Sequence, residues 1–522
     1  MKLVSTVALV LATFAIACEP AAAPPPVAPA PAPAPTETIR VTPDAPFRAQ
    51  APMADGLVQF TPPAIQTAKL KNGLRVFIVE RHDLPVVAVR HVVTLGAGDV
   101  AEARPGALNF VGAMLDKGTK KRTSLQLSDD LDAIGAKHSA GVEWDAGAAT
   151  IRMVTEHVDT GLDLLAEMTL SPSFPNDEVE RLRTQRLTAI AAEKNVPTSA
   201  AANAQSAALF GRSHAYGHAL VGEEADVKAL TRAELVKDYE KLFTVQSSAL
   251  IVIGDVTKDA ILPKLEARWG TWKAKGGFAR KAPKALTKAD TDKRLVLVDR
   301  AGAQSQVQVA RLGAAYASKD RTAIQVANAI LGGTFSSRIN MNLREKNSYT
   351  YGARSSFALR HGVGPFSISG AIMADKTGPA IKEIFNELDS LKKDGPTDEE
   401  LSLAKESLRL AMPARFETVA EVSAAVSELV IYDLPLDDFA QRQARLETVT
   451  KDDVKRIASE YFTAEQMTVV VVGGKDKVMP QLEPLNLGAV DERDAYGNPV
   501  GSAKPADKGA APRGKGKKAK AD

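Results

Sequence analysis

Two segments of the chain align without gaps and decide its fold. Residues 230–254 have the sequence LTRAELVKDYEKLFTVQSSALIVIG, and residues 449–473 have the sequence VTKDDVKRIASEYFTAEQMTVVVVG, at a constant offset of 219. Each copy predicts a capped amphipathic helix, a short turn and then an apolar β-branched strand that ends at glycine. A repeat of this length indicates a duplicated domain rather than a solenoid.

The length of the chain agrees with a duplication. A chain of 522 residues exceeds what one hydrophobic core usually supports, so at least two domains are expected. Residues 271–293, TWKAKGGFARKAPKALTKADTDK, are polar and basic and contain Gly and Pro, which is typical of an interdomain linker. The sequence therefore predicts an N-terminal domain over 60–270 and a C-terminal domain over 294–488.

Strands and helices are mixed within each half. In the first half, residues 73–81 and 86–96 predict two strands paired around the turn HDLP, and four helical patterns follow. The second half opens with an apolar strand at 295–299, and helical patterns follow at 376–394 and 397–411. Blocks of strands and blocks of helices, rather than strict alternation, predict an α+β fold in both halves.

Charge is concentrated at the C-terminus. Hydrophobic residues make up 45% of the chain and charged residues 25%, as in ordinary soluble proteins. The net charge is +3, but residues 504–522 alone carry +5, which leaves −2 for the rest and argues against a nucleic-acid-binding face. Residues 489–522 are predicted to be a disordered basic tail, because their Gly/Ala/Lys-rich end has little apolar surface to bury. This tail either solubilises the protein or contacts anionic lipid or nucleic acid.

The N-terminus has the pattern of an export signal. Residues 1–17 consist of a basic start, an apolar run too short for a membrane span of about 20 residues, and small residues before Cys18. Ala15-Ile16-Ala17-Cys18 resembles a bacterial lipobox, which would make Cys18 the lipidated first residue of the mature protein. The alternative is an ordinary signal peptide with an incidental cysteine. Cys18 is the sole cysteine, so an intrachain disulfide is excluded.

The segment after the cysteine predicts a spacer. Residues 18–59 include a tract of alternating Ala and Pro, which favours an extended, semi-rigid polyproline II conformation. We therefore expect an exported, membrane-anchored lipoprotein that faces the bacterial periplasm, with the outer membrane as the expected location.

The body of the chain, about residues 60–485, resembles the pitrilysin/insulinase metallopeptidases, including the mitochondrial processing peptidases. Four segments carry the resemblance in the family's order: LGAGDVAEARPGALNFVGAMLDKGT (95–119), HAYGHALVG (214–222), ALIVIGDV (249–256) and LGGTFSSRINMNLREKNSYTYG (331–352). The resemblance implies an α+β fold of two homologous mitochondrial processing peptidase-like domains, each a sheet packed against helices, joined by a linker.

The resemblance also implies that the zinc motif is degenerate. Active members carry H-x-x-E-H on the helix before the KGT turn, where two histidines bind zinc and the glutamate activates the metal-bound water. Here Asn109 and Ala113 occupy the histidine positions, and Gly112 occupies the glutamate position. The third ligand is expected near Ala189–Ile190, which cannot bind metal, and nearby Glu193 is expected to be solvated. The chain is therefore expected to have no metal and no catalytic residue of its own.

The histidines of the chain do not indicate an alternative metal site. His214 and His218 have the i, i+4 spacing of a metal pair, but a glycine lies between them and they fall in a family-like loop, which argues against a metal site. The remaining histidines, His361 among them, are scattered and are expected to be structural or surface residues.

The resemblance further implies that the second half retains the family's substrate-binding residues. In active family members an arginine and a tyrosine seven residues apart hydrogen-bond the substrate backbone and help to stabilise the oxyanion. Arg344 and Tyr351 occupy these positions and are the predicted substrate-binding residues. The alternative places Arg344 in an ion pair at a helix end and Tyr351 in the core. Tyr349 is a competing candidate, because it would share a strand face with Tyr351.

A broken first domain with an intact second domain is the pattern of the helper subunit in two-chain family members. We expect a non-catalytic subunit that forms a heterodimer with a paralogous, zinc-bearing peptidase subunit and binds peptides or unfolded polypeptides. The zinc is expected in the partner, and peptidase activity only in the pair. Two alternatives are a scaffold protein with no role in proteolysis and an independent peptidase that uses unrecognised residues.

Overall fold

The computed structural model describes residues 60–100, 104–273, 276–281, 283 and 286–501. They belong to one compact unit, Gln59–Asp522. The predicted signal peptide, Cys18, the Ala/Pro-rich spacer and most of the basic tail lie outside the described residues. No helix within these ranges has the length and apolarity needed to cross a lipid bilayer.

The first half contains a six-stranded sheet. Its strands are β1 Gln66–Lys69, β2 Arg75–Glu80, β3 Val86–Val93, β4 Lys137–Val142, β5 Gly147–Val154 and β6 Ser248–Gly254. Their order is β1-β2-β6-β3-β5-β4. The prediction that β2 and β3 pair around HDLP is wrong, because β6 lies between them, parallel to β2 and antiparallel to β3. Every residue of β6 is buried, as expected for a central strand of apolar, β-branched residues.

Eight helices accompany this sheet among the described residues. They are α1 Ala107–Met114, α2 Ser124–Ala133, α3 Val158–Leu170, α4 Asn176–Glu193, α5 Pro197–Phe210, α6 Glu224–Ala229, α7 Arg232–Leu242 and α8 Lys258–Trp269. The start of α7 is set by a capping box, in which Thr231 and Glu234 each accept a hydrogen bond from the other's backbone N–H.

The second half repeats this architecture. Its strands are β7 Leu295–Asp299, β8 Gln304–Leu312, β9 Thr350–Phe357, β10 Pro365–Met373, β11 Thr468–Gly473 and β12 Val490–Glu492, in the order β12-β7-β11-β8-β10-β9. Its helices are α9 Arg321–Asn328, α10 Arg338–Asn340, α11 Thr377–Asp394, α12 Asp398–Leu410, α13 Val419–Ile431, α14 Asp438–Thr448, α15 Lys451–Tyr461 and α16 Lys475–Leu482, with π-helical turns at Ala329–Gly333 and Met341–Lys346.

The two sheets correspond strand by strand except at one edge. Strand β11 is parallel to β7 as β6 is parallel to β2, and α15 begins with a capping box at Thr450, as α7 does at Thr231. Strand β1 enters its sheet from the N-terminal side, whereas β12 comes from the C-terminal side. The C-terminal domain therefore continues past residue 488, where the sequence placed its end, and the prediction of a disordered tail from residue 489 is wrong for the residues that include β12.

The halves exchange one helix each. Helix α5 follows the first sheet in sequence, but its alanines pack against valines of β7 and β11 in the second sheet. Helix α13 belongs to the second half, but its apolar face packs against β3 and β6 of the first sheet. Shifting α5 by the repeat offset of 219 residues places it over 416–429, which overlaps α13. The exchanged helices are therefore equivalent copies.

The linker follows the surface of the first half. The backbone N–H of Phe278 donates to the carbonyl of Lys241 at 3.0 Å, and the N–H of Lys281 donates to the carbonyl of Asp99 at 3.1 Å. Further along, the N–H of Asp290 donates to the carbonyl of Leu209 at 3.0 Å. These bonds attach the described part of the linker to several elements of the first half.

Candidate functional site

The helix that would carry a zinc motif, α1, starts where two glycine turns meet. Gly106 has φ +80°, and a Cβ there would lie 2.4 Å from the carbonyl oxygen of Val221. Gly222 has φ +77°, and a Cβ there would lie 2.8 Å from the carbonyl oxygen of Pro105. Only glycine tolerates both this conformation and this approach. Two of the segments that carry the family resemblance, 95–119 and 214–222, therefore contact each other directly.

Strand β4, at the edge of the first sheet, packs directly against the motif positions on α1. The side-chain amide of Asn109 donates to the carbonyl of Val142 in β4 at 2.9 Å. A Cβ on Gly112 would lie 2.4 Å from the backbone nitrogen of Val142 and 2.5 Å from the carbonyl carbon of Gly141. A glutamate side chain therefore does not fit at position 112 unless β4 moves. Asn109, Gly112 and Ala113 offer no ligand set suited to zinc.

Helix α4 lies where the third ligand is expected, but it contributes apolar side chains. Ile190 is 4% exposed and packs in one cluster with Phe110 and Val111 of α1. Ala189 and Glu193 are exposed. The position that faces α1 is therefore a core position, and α4 supplies no carboxylate to it.

A positively charged side chain, Arg186, lies near the contact between α1 and α4. The guanidinium carbon of Arg186 lies 5.2 Å from the centroid of the Phe110 ring, which is a cation–π distance. Burial lowers the pKa of Arg186 below its usual value. Positive charge beside α1 is the opposite of what a bound divalent cation requires.

The paired histidines make local contacts. His214 Nδ1 accepts a hydrogen bond from the backbone N–H of Tyr216 at 3.0 Å, and the ring of His214 stacks on Phe210 with centroids 5.2 Å apart. His218 Nδ1 contacts the carbonyl of Ala219 at 3.1 Å, and burial lowers the pKa of His218. These contacts give both rings a structural role in the loop after α5.

Arg344 and Tyr351 lie on the accessible surface of the second half. The Arg344 side chain is 40% exposed, forms an ion pair with Glu345 at 3.2 Å, and lies 4.7 Å from the centroid of the exposed Phe335 ring. Tyr351 is 90% exposed near the start of β9, which is the edge strand of the second sheet. Tyr351 is therefore not a core residue.

Tyr349 is not equivalent to Tyr351. It precedes the first residue of β9 and packs, partly buried, against the core of the second half. Exposed apolar side chains occur instead at Phe335 and Met341, before Arg344 in the chain, and at Met373, at the end of β10; they are 55%, 41% and 44% exposed. The stretch of chain that carries Arg344 and Tyr351 therefore also exposes large apolar side chains.

A polar cluster that sequence reasoning missed lies between the halves. His361 Nδ1 lies 2.9 Å and 3.0 Å from the two carboxylate oxygens of Asp99 and 3.8 Å from an oxygen of Asp145. Tyr432 donates its hydroxyl to Asp145 at 2.7 Å. Burial lowers the pKa of His361, but its contact with Asp99 and the two negative charges raise it, so that the net shift is upward. Burial also raises the pKa of Asp145.

The members of this cluster are far apart in the sequence. His361 is 262 residues from Asp99 and 216 residues from Asp145, so no local motif joins them. Their residue types were the only available signal, and His361 was expected to be an isolated histidine.

Comparisons with known proteins agree with this architecture. Residues 75–222 match the insulinase family (peptidase family M16), and residues 229–408 match the peptidase M16 inactive domain. An uncharacterized zinc protease of Mycobacterium tuberculosis is 25% identical over 417 residues, which cover 79% of this chain and 94% of that protein. An uncharacterized zinc protease of Streptomyces coelicolor is 25% identical over 426 residues, which cover 80% of this chain and 92% of that protein.

Solved structures show the same fold. A crystal structure of a peptidase M16 inactive domain from Pseudomonas fluorescens superposes with a TM-score of 0.72 at 24% identity, covering 78% of this chain and 98% of that one. A protease from Helicobacter pylori superposes with a TM-score of 0.71 at 20% identity, covering 79% of this chain and all of that one.

Proposed function

Because the chain belongs to the insulinase (M16) family of metallopeptidases, we propose that it is a non-catalytic subunit of a zinc peptidase. In this proposal a zinc-bearing paralogue forms a heterodimer with it and performs the hydrolysis. This chain contributes Arg344 and Tyr351 to the binding of peptides or unfolded polypeptides.

The observation that carries the proposal is the packing of Gly112. Hydrolysis by this family needs a carboxylate at that position to activate the metal-bound water. Here the backbone of β4 fills the space that the first side-chain atom would occupy, with contacts of 2.4 Å and 2.5 Å. Restoring the glutamate by substitution alone would therefore not restore a site.

The second half supports a binding role. Arg344 offers a guanidinium that stacks on Phe335, and Tyr351 offers a phenol with 90% of its surface exposed. Strand β9 ends the strand order of its sheet, so within the described ranges no strand pairs with its outer edge. An exposed edge can add an extended peptide as a further strand. A peptide bound there would lie beside Tyr351.

The experiment combines this chain with a paralogue that carries an intact H-x-x-E-H motif and measures peptide hydrolysis. Arg344→Ala and Tyr351→Phe are expected to lower kcat/KM of the pair by about 100-fold, as removal of an oxyanion donor does. The matched control is Arg181→Ala, because Arg181 is also half-exposed and ion-paired, at 47% exposure, on α4. That control is expected to leave kcat/KM unchanged.

Two outcomes would contradict the proposal. Chelator-sensitive hydrolysis by the isolated chain would show that it has its own catalytic site. Unchanged activity of the pair with both variants would favour the scaffold function instead.

We also propose that lipid on Cys18 anchors the protein to a membrane facing the periplasm, as the export signal and lipobox-like sequence suggest. Cys18→Ser should then move the protein from the membrane fraction to the soluble periplasmic fraction, and an unchanged distribution would contradict the anchor.

A further inference from the structure

Three potential metal ligands converge between the two halves. Asp99 and Asp145 come from the first half, and His361 comes from the loop between β9 and β10 in the second. Their side chains are 0%, 9% and 10% exposed. One ligand atom from each lies within 4.8 Å of the others, and no other group of three or more such residues occurs in the part of the chain that the structure describes.

Each carboxylate has one oxygen held in place by the protein. Asp99 Oδ2 accepts a hydrogen bond from the backbone N–H of Gly96 at 3.1 Å. Asp145 Oδ2 accepts hydrogen bonds from the Tyr432 hydroxyl at 2.7 Å and from the backbone N–H of His361 at 3.0 Å. These donors orient the carboxylates, as the outer partners of metal ligands do.

The remaining oxygen of Asp145 is an independent observation that favours a cation ligand role. The Oδ1 atom of Asp145 is fully buried without a hydrogen-bond partner, 3.8 Å from His361 Nδ1. A buried carboxylate oxygen without a partner is costly. The oxygen points at the imidazole nitrogen that Asp99 also contacts.

The hydrogen bonds of the His361 ring are compatible with metal binding through Nδ1. His361 Nε2 lies 3.1 Å from the carbonyl of Ile431, which can only accept, so Nε2 carries a proton. When His361 is neutral, the lone pair of Nδ1 then faces an oxygen of the Asp99 carboxylate at 2.9 Å. Neither of these two atoms has a hydrogen to donate, so a positive charge is needed between them. Either a second proton on His361 or a bound cation supplies that charge. An imidazole that donates to a carbonyl through Nε2 is the usual arrangement of a metal ligand.

The distances accommodate a small cation as well as a hydrogen bond from a protonated His361. Zinc bonds of about 2.0–2.1 Å in tetrahedral geometry separate two ligands by about 3.4 Å. The separations of 2.9 Å and 3.8 Å from His361 Nδ1 to the two carboxylates bracket this value. The neighbouring cation, Arg360, lies 4.7 Å from the Trp144 ring centroid and interacts electrostatically with Asp145, without an ion-pair contact to it among the described residues.

We propose that Asp99, Asp145 and His361 bind a divalent transition-metal ion, with Zn²⁺ as the first candidate, which clamps the two halves together. A cavity of about 500 Å³ adjoins the cluster on the side of Asp145 and Tyr432 and is the route by which an ion would reach it. The site differs from the degenerate motif on α1, and its ion is structural. It departs from the expectation that the chain holds no metal.

The test uses the full chain, stripped with chelator and dialysed. Isothermal titration with Zn²⁺ should show one ion per chain, and thermal unfolding should shift upward with Zn²⁺ and return with chelator. Asp145→Asn keeps the shape of the side chain and should weaken Zn²⁺ binding by at least 100-fold. Tyr432→Phe, which removes only an orienting hydrogen bond, should weaken it by about 10-fold. Titrations with Mn²⁺ and Mg²⁺ define the preference of the site.

The matched control is His138→Ala, because His138 also contacts a carboxylate, that of Asp116 at 3.3 Å, but without a second one. It should leave Zn²⁺ binding unchanged. Absence of stoichiometric binding to the wild-type chain, or equal binding by Asp145→Asn, would overturn the proposal and identify the cluster as an ion pair with protonated His361. Peptide hydrolysis is measured in the same samples, and activity that persists in Asp145→Asn would contradict the proposed non-catalytic role and leave the clamp untouched.

Discussion

At the scale of single residues, the packing of Gly112 leaves no room for a larger side chain between α1 and β4. Gly112 allows α1 to lie directly on β4, and Asn109 fixes that contact by donating to the carbonyl of Val142. A helix that approaches a strand this closely has no room for a side chain between them. Position 112, where the family motif has its glutamate, is therefore a packing position in this chain.

Gly112→Ala is expected to destabilise the protein by about 3 kcal/mol, because the added methyl overlaps rigid backbone atoms. The matched control is Gly141→Ala, since a Cβ at Gly141 meets nothing within 4 Å. Urea unfolding measures both free energies, and the control is expected to change by less than about 0.5 kcal/mol. Similar losses for the two variants would contradict the close contact.

At the scale of elements, the exchanged helices α5 and α13 differ in the size of the side chains that they present to the opposite sheet. Helix α5 presents Ala200, Ala204 and Ala208 to the second sheet, and small side chains let the helix lie close to the valines of β7 and β11. Helix α13 instead presents larger residues such as Val422 and Leu429 to the first sheet. The two copies of one helix therefore solve the same packing problem differently.

Ala204→Leu is expected to destabilise the protein by about 1–3 kcal/mol, because Ala204 is fully buried and the larger side chain has no space. Ala202→Leu is the control, since Ala202 is exposed on the same helix. Thermal unfolding should show a lower Tm for the first variant alone. An unchanged Tm for Ala204→Leu would argue against tight contact between α5 and the second sheet.

Duplication, the α+β class and the capped repeat helices could be predicted, because they are local patterns repeated at a fixed offset. The two-domain fold is confirmed by the two matching sheets. The pairing of β2 with β6 and the exchange of α5 could not be predicted from the sequence. An apolar strand or an alanine-rich helix does not specify which sheet it joins. The degenerate motif was visible in the residue types at 109, 112 and 113, whereas the cluster around His361 depends on contacts across more than 200 residues.

At the scale of the whole molecule, α13 is anchored in one half and covers the other. Its Glu428 forms an ion pair with Arg442 at 2.5 Å and a second one with Arg415. Burial raises the pKa of Glu428, but these two guanidinium groups outweigh it and lower the pKa to about 2. Loss of this charge would loosen the helix that both halves share.

A depressed pKa stabilises the fold fully above the ordinary glutamate pKa near 4.5, and this contribution is lost as pH falls towards 2. Glu428→Gln is therefore expected to cost about 3 kcal/mol at pH 7 and progressively less below pH 4. Glu447→Gln, at an exposed position of α14, is the control. Denaturant unfolding between pH 7 and pH 3 measures the difference, and a cost that does not depend on pH would contradict the assignment.

Helix exchange also bears on how the protein would respond to cleavage of its backbone. A protease that cut the chain between the two halves would sever one covalent connection, but α5 and α13 would each remain buried in the opposite half. The nicked molecule should migrate as one particle in gel filtration and as two polypeptides only in denaturant. Release of either half would then require unfolding of the exchanged helices, because a single cut between the halves leaves both helices packed.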